Sequence, residues 1–169
     1  PEKLRQLLRE VMIRNTRSMV DVKLPKGFAT TFYVSPTEGE KETYEGLSAC
    51  IRLFHETTTA PELFTVRNLQ MAAGSSPFAL KESISHLLTR LSASGTNGPV
   101  PAMFREIERK LADIRTTSKG QQLLSLVQQN QEKKLIFVRY LQTLEYLAGL
   151  LKDNGCPFAV FSGSMTAGG

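Results

Sequence analysis

The sequence is poor in the residues that carry most known site chemistry. It holds two cysteines and two histidines in 169 residues. Cys50 and Cys156 lie far apart and neither belongs to a C-x-x-C pair, which predicts reduced thiols in a cytoplasmic protein rather than a disulfide framework. His55 and His86 stand 31 positions apart without acidic or Cys neighbours at ligand spacing, which argues against a zinc site. No apolar run approaches the roughly 18 residues of a membrane span, so no membrane partner is expected. The opening PEKLRQLLRE is not a signal peptide. It also has no initiating Met, in keeping with a piece excised from a longer protein.

Catalytic motifs are missing as well. There is no G-x-x-x-x-G-K-[ST] loop, and the glycine-rich stretch from Gly163 to Gly169 has no Lys to reach a phosphate. No G-x-S-x-G elbow is present, nor a Cys/His pair with an orienting carboxylate. Glu38, Glu40, Glu42 and Glu45 gather at a helix start, where they complement the helix dipole rather than form a paired-carboxylate site. No catalytic residue, metal ligand or cofactor-binding residue is predicted.

What is present is an ordinary amphipathic protein. Hydrophobic residues make up 41% and charged residues 22%, enough apolar material for a core. The net charge of +5 permits an anionic partner without demanding one, and the basic residues are spread over helices.

Along the chain, Leu4, Leu7, Leu8, Val11 and Met12 mark one apolar face of a helix over 2–14. That helix ends in a basic cluster, Arg14 to Arg17. Residues 28–34, FATTFYV, are rich in β-formers and predict a strand. Ser35 and Pro36 predict a capped helix start with Glu38 bonding back to the cap, and Tyr44, Leu47, Ile51 and Phe54 form its apolar face. Thr59 to Glu62 repeats the capping logic before Leu63, Val66 and Leu69. Ser76-Pro77 opens a helix with Leu80, Ile84, Leu87, Leu88 and Leu91. A loop follows, SGTNGPV, and then a face of Met103, Phe104, Ile107, Leu111 and Ile114. Ser118 to Gln121 has an S-x-x-Q cap pattern before LLSLV. About five amphipathic helices in succession predict a bundle.

The last stretch, 133–169, changes character. KKLIFVRY and CPFAVFSG are short apolar runs that read as strands. Between them LQTLEYLAGLLKDNG is apolar at helical spacing and ends on Asn154-Gly155. Strand, helix and strand predict a right-handed βαβ unit in a parallel sheet. The expected fold is therefore mainly α with a small α/β part: a bundle of about five to six helices joined to a partial, mixed or parallel three-stranded sheet. Such a sheet would leave open edges, and self-association through them is expected.

Three segments in order resemble one family. VMIRNTRSMVDVKLPK, residues 11–26, resembles the region after the first lobe of Swi/Snf-type helicase-like ATPases, where a helix ends in a basic cluster before a Leu-Pro. TTFYVSPTEGEKETYEGL, residues 30–47, is similar to that family's strand, Ser/Thr-Pro turn and Tyr-bearing helix. Residues 118–164 resemble its S-K-x-x-x-L-x-x-L helix, its helicase motif IV strand and a strand ending in Gly-Ser. Residues 66–84 resemble the helical insertion of bacterial members. Asn15, Gly27 and Arg139-Tyr140 depart from the commonest residues of the pattern.

The resemblance implies a two-lobe parent that hydrolyses ATP with Mg²⁺ and moves along duplex nucleic acid or strips proteins from it, with DNA the favoured nucleic acid. It implies that residues 1–27 are the tail of the first lobe and a linker. Residues 28–131 would be an edge strand and the helical insertion, and 132–169 the start of a second RecA-like lobe. Phosphoryl transfer needs a phosphate cradle, Mg²⁺ ligands and a charge-stabilising Arg together. None of the three is in this chain, so the piece alone is expected neither to hold ATP and Mg²⁺ nor to hydrolyse ATP. Carried over by motif, Arg139, Tyr140, Gly163 and Ser164 are the candidate nucleic-acid contacts, with Arg139 facing phosphate. The competing reading is a helical protein-interaction module without enzymatic role. A sequence-specific DNA-binding domain ranks last, since no helix gathers Arg, Lys, Asn and Gln on one face.

Overall fold

Six helices form among the described residues, which are 27–57, 63–95, 98–130 and 132–163 of a computed structural model. They are α1 Glu38–Thr57, α2 Leu63–Ser75, α3 Pro77–Ala93, α4 Pro99–Asp113, α5 Ser118–Gln128 and α6 Leu141–Asp153. The chain divides into two units, 1–33 and 34–169. Of the first unit only residues 27–33 are described, and they form neither helix nor strand. The predicted helix over 2–14, its basic cluster and the cap at Thr59–Glu62 lie outside the described residues.

Local chemistry explains the helix boundaries. At the start of α1, the Thr37 amide donates to Glu40 Oε2 at 2.9 Å and the Glu40 amide to Thr37 Oγ1 at 3.3 Å. This is a reciprocal capping box, two residues later than the Ser35–Glu38 box expected from sequence. Ser76 caps α3, accepting from the Ala79 amide at 3.1 Å with Pro77 in the first turn, as expected. Thr117, not Ser118, caps α5, accepting from the Gly120 amide at 2.9 Å. At the end of α6, Gly155 has φ +67. There the Cys156 amide donates to the Leu151 carbonyl and the Gly155 amide to the Lys152 carbonyl, a Schellman closure that glycine reaches without Cβ strain.

The core lies among α1–α4. Leu47, Cys50, Ile51 and Phe54 from α1 meet Leu69 of α2, a row of five α3 residues from Leu80 to Leu91, and Phe104, Ile107 and Leu111 of α4. α1 packs on α4, and α2 and α4 pack on α3. Phe104 is fully buried and meets Phe54 edge-on, centroids 5.9 Å apart, a favoured ring geometry. The helical spacing identifies this core well. Its exception is Tyr44, which is exposed although it shares the predicted face, while Cys50 is buried within it.

The expected α/β part is corrected. No strand and no sheet form among the described residues. Residues 132–138 and 156–162 form neither helix nor strand, and α6 between them packs on α3 and α5 instead. A strand exists through its ladder with a neighbour less than about 5 Å away. The apolar runs favour an extended backbone locally but find no such neighbour. Their side chains are correspondingly open: Leu135 is 84% exposed, Phe137 90% and Phe161 83%. Among the described residues the three-stranded sheet and βαβ unit are absent, and with them the sheet edge through which self-association was expected.

Candidate functional site

α6 is short of core contacts, and its first turn is held by polar ones instead. Thr143 is buried. Its Oγ1 lies 2.9 Å from Ser75 Oγ and 2.7 Å from Ser76 Oγ, at the corner where α2 gives way to α3. Ser76 Oγ is already the acceptor of the Ala79 amide. Three hydroxyls and one amide thus satisfy one another in a place where an unpaired hydroxyl is costly.

One turn along, Tyr146 does the same for α5. Its hydroxyl accepts from the Thr117 amide at 3.0 Å and lies 3.3 Å from Thr117 Oγ1. Its ring stacks on Phe78 of α3 at 4.4 Å between centroids. Gly120 permits this approach. A Cβ there would collide with the Tyr146 hydroxyl and stand 2.9 Å from Thr117 Oγ1.

A third tie comes from α1. Glu40 accepts from the Ser118 amide at 3.2 Å as well as from Thr37. Burial pushes its carboxyl up. The hydrogen bonds from Thr37 and Ser118 outweigh that and hold it below the usual Glu value. One carboxylate therefore serves the starts of both α1 and α5.

The Thr143 and Tyr146 ties border a cleft of about 280 Å³ between the α2–α3 corner, the start of α5 and residues 136–147. Its two charged lining residues are Lys119 and Arg139, and no Asp or Glu lines it among the described residues. The Lys119 ammonium donates to the Gly74 carbonyl on the cleft wall. A larger cleft of about 550 Å³ between α3, α4 and α6 mixes signs, with Lys81 and Arg115 beside Glu82, Glu108 and Glu145. A cleft lined by one sign of charge focuses attraction for the opposite sign, so the smaller cleft is the better anion site.

Of the residues expected from sequence, Arg139 is exposed and lines this cleft. Tyr140 is half-buried and forms the N-cap of α6 without a side-chain cap bond. Gly163 is exposed, in a turn after residues 156–162, and does not line the cleft. Ser164 lies outside the described residues. Lys119, Thr143 and Tyr146 were not singled out. A Thr in the first turn of a leucine-rich helix and a Tyr one turn later were the available signals. Among the described residues no group of three or more His, Cys, Asp or Glu is placed to hold a metal ion. No helix of that set is long and apolar enough to cross a membrane.

Comparison with known proteins gives one informative similarity. The chain is 25% identical over 171 residues to a protein of Bacillus subtilis (strain 168) described as "Uncharacterized ATP-dependent helicase YqhH". The alignment covers 99% of this chain and 29% of that protein, so the chain spans less than a third of its curated relative. No family model matches the chain, and no solved structure matches it. The similarity is thus to part of a helicase, the class expected from the sequence, and does not single out the Swi/Snf type.

Proposed function

We propose that this chain is the interlobe segment of a Swi/Snf-type helicase-like ATPase, a scaffold without the ATP site. The observation that carries the reading is the similarity to an ATP-dependent helicase over 99% of the chain. The ordered segments described above supply the finer type. In this reading residues 1–27 are the tail of the first lobe and a linker, 28–131 contain the helical insertion, and 132–169 begin the second lobe. ATP and Mg²⁺ are bound by other parts of the parent, which acts on duplex DNA in the cytoplasm. The one-signed cleft beside Arg139 supports a phosphate contact there.

The test is ATPase activity with and without duplex DNA, for the product of the complete reading frame and for the 169-residue chain. The complete product is expected to hydrolyse ATP faster with DNA, and the chain alone not at all. Turnover by the chain alone overturns the scaffold role. A complete product that DNA does not stimulate overturns the helicase reading. The alternative, a helical protein-interaction module, is favoured by one observation: the core closes among α1–α4. That reading expects the 169-residue chain to bind no duplex DNA.

A further inference from the structure

Arg139 stands four residues before Thr143 in sequence, just ahead of Tyr140, the N-cap of α6. It is exposed, and among the described residues no hydrogen bond or ion pair restrains its guanidinium, so its direction depends on where its backbone is held. The segment before it, 132–138, has no ladder to hold it. The nearest fixed point is the first turn of α6. There Thr143 is locked to Ser75 and Ser76, and Tyr146 to Thr117 and Phe78. The same corner carries the Gly74 carbonyl that takes the Lys119 ammonium. The corner that Thr143 fastens thus also anchors Lys119, the other cation that lines the cleft.

We infer that Thr143 is a positioning residue: its hydroxyl lock to Ser75 and Ser76 aims Arg139 into the cleft that Lys119 also lines, to receive one backbone phosphate of a nucleic acid. The inference rests on the duplex-binding reading above and adds to it the residue that orients the contact. Loss of the lock leaves the α1–α4 core intact, because that core contains no α6 residue. It frees the first turn of α6, which anchors the backbone next to Arg139. The ordering of that segment must then be supplied at the moment of binding, which weakens it.

The experiment uses the 169-residue chain and a fluorescently labelled random-sequence DNA duplex, read by anisotropy over a salt series. The variants are Arg139→Ala, Thr143→Val, Thr143→Ser and the double variant R139A/T143V. Val keeps the shape and removes the hydroxyl, and Ser keeps the hydroxyl. Arg139→Ala is expected to weaken binding roughly 5- to 10-fold and to lower the salt slope by about one phosphate contact. Thr143→Val is expected to do nearly the same, including the salt slope. The double variant is expected to be no weaker than R139A alone, and Thr143→Ser to bind as the wild type does. A merely structural loss would lower the active fraction without changing the slope, and its effect would multiply with that of R139A. If R139A weakens binding but T143V does not, or if the two effects multiply, the positioning role is overturned while the contact stands. If the wild-type chain binds no duplex, or R139A binds as wild type, the contact itself fails and the positioning role with it.

Discussion

The hydroxyl of Tyr146 sits 3.0 Å from the Thr117 amide, and the Gly120 backbone passes directly beneath it. These contacts join α6 to the start of α5. A methyl group at position 120 has no room. Gly120→Ala is expected to destabilise the chain by about 1–3 kcal/mol, the usual range for overpacking, measured by urea denaturation. In a Tyr146→Phe background the colliding oxygen is gone, so the same change is expected to cost less. Equal costs in both backgrounds would show that the tyrosine hydroxyl does not set the constraint.

Glu40 ties stability to acid. Its carboxyl is held below the ordinary value of 4.5 in the folded chain. A carboxyl with a depressed folded value contributes stability above its unfolded value and loses it as pH falls through the folded one. Stability is therefore expected to drop on acidification below about pH 4.5. The drop should be shallower in Glu40→Gln. At neutral pH that variant is expected to be less stable by about 1 kcal/mol, the scale of a lost helix-cap interaction. Chemical denaturation at pH 3.5 and 7 would check both.

The two cysteines are expected to react very differently. Cys50 is buried in the core, and burial pushes its thiol up to about 12. Cys156 is half-exposed after the end of α6. Since the thiolate is the reactive form, Cys156 should be labelled by a chromogenic disulfide reagent within minutes at pH 8. Cys50 should be labelled only on addition of denaturant. Two equally fast thiols in the folded chain would contradict the buried placement of Cys50.

Phe137 and Phe161, which precede and follow α6 in sequence, are almost wholly exposed. Large apolar side chains open to water favour association where they gather into a patch. Light scattering is expected to show a mass that rises with protein concentration. The double variant Phe137→Ser/Phe161→Ser is expected to suppress the rise without changing helicity by circular dichroism. A concentration-independent monomer would remove association through this surface.

The sequence by itself determined the helices and most of their shared core. Leu80, Ile84, Leu87, Leu88 and Leu91 were placed on one face by spacing alone, and all are buried. Ser76-Pro77 reads as a helix start, and α3 begins there with Ser76 as its cap. Such features depend on residues within one or two turns, and local spacing records them. Arg139 was legible only through the resemblance, and the lock around Thr143 was not legible at all. Its partners Ser75 and Ser76 lie 68 and 67 residues away, beyond any local pattern. The strands failed for the same reason. LIFV and FAVF carry the side chains a strand prefers, but a strand is made by a partner supplied at long range. Tertiary structure alone decided that α6 would be fastened to the helices by three hydroxyls and a tyrosine, and that the flanking runs would remain unpaired.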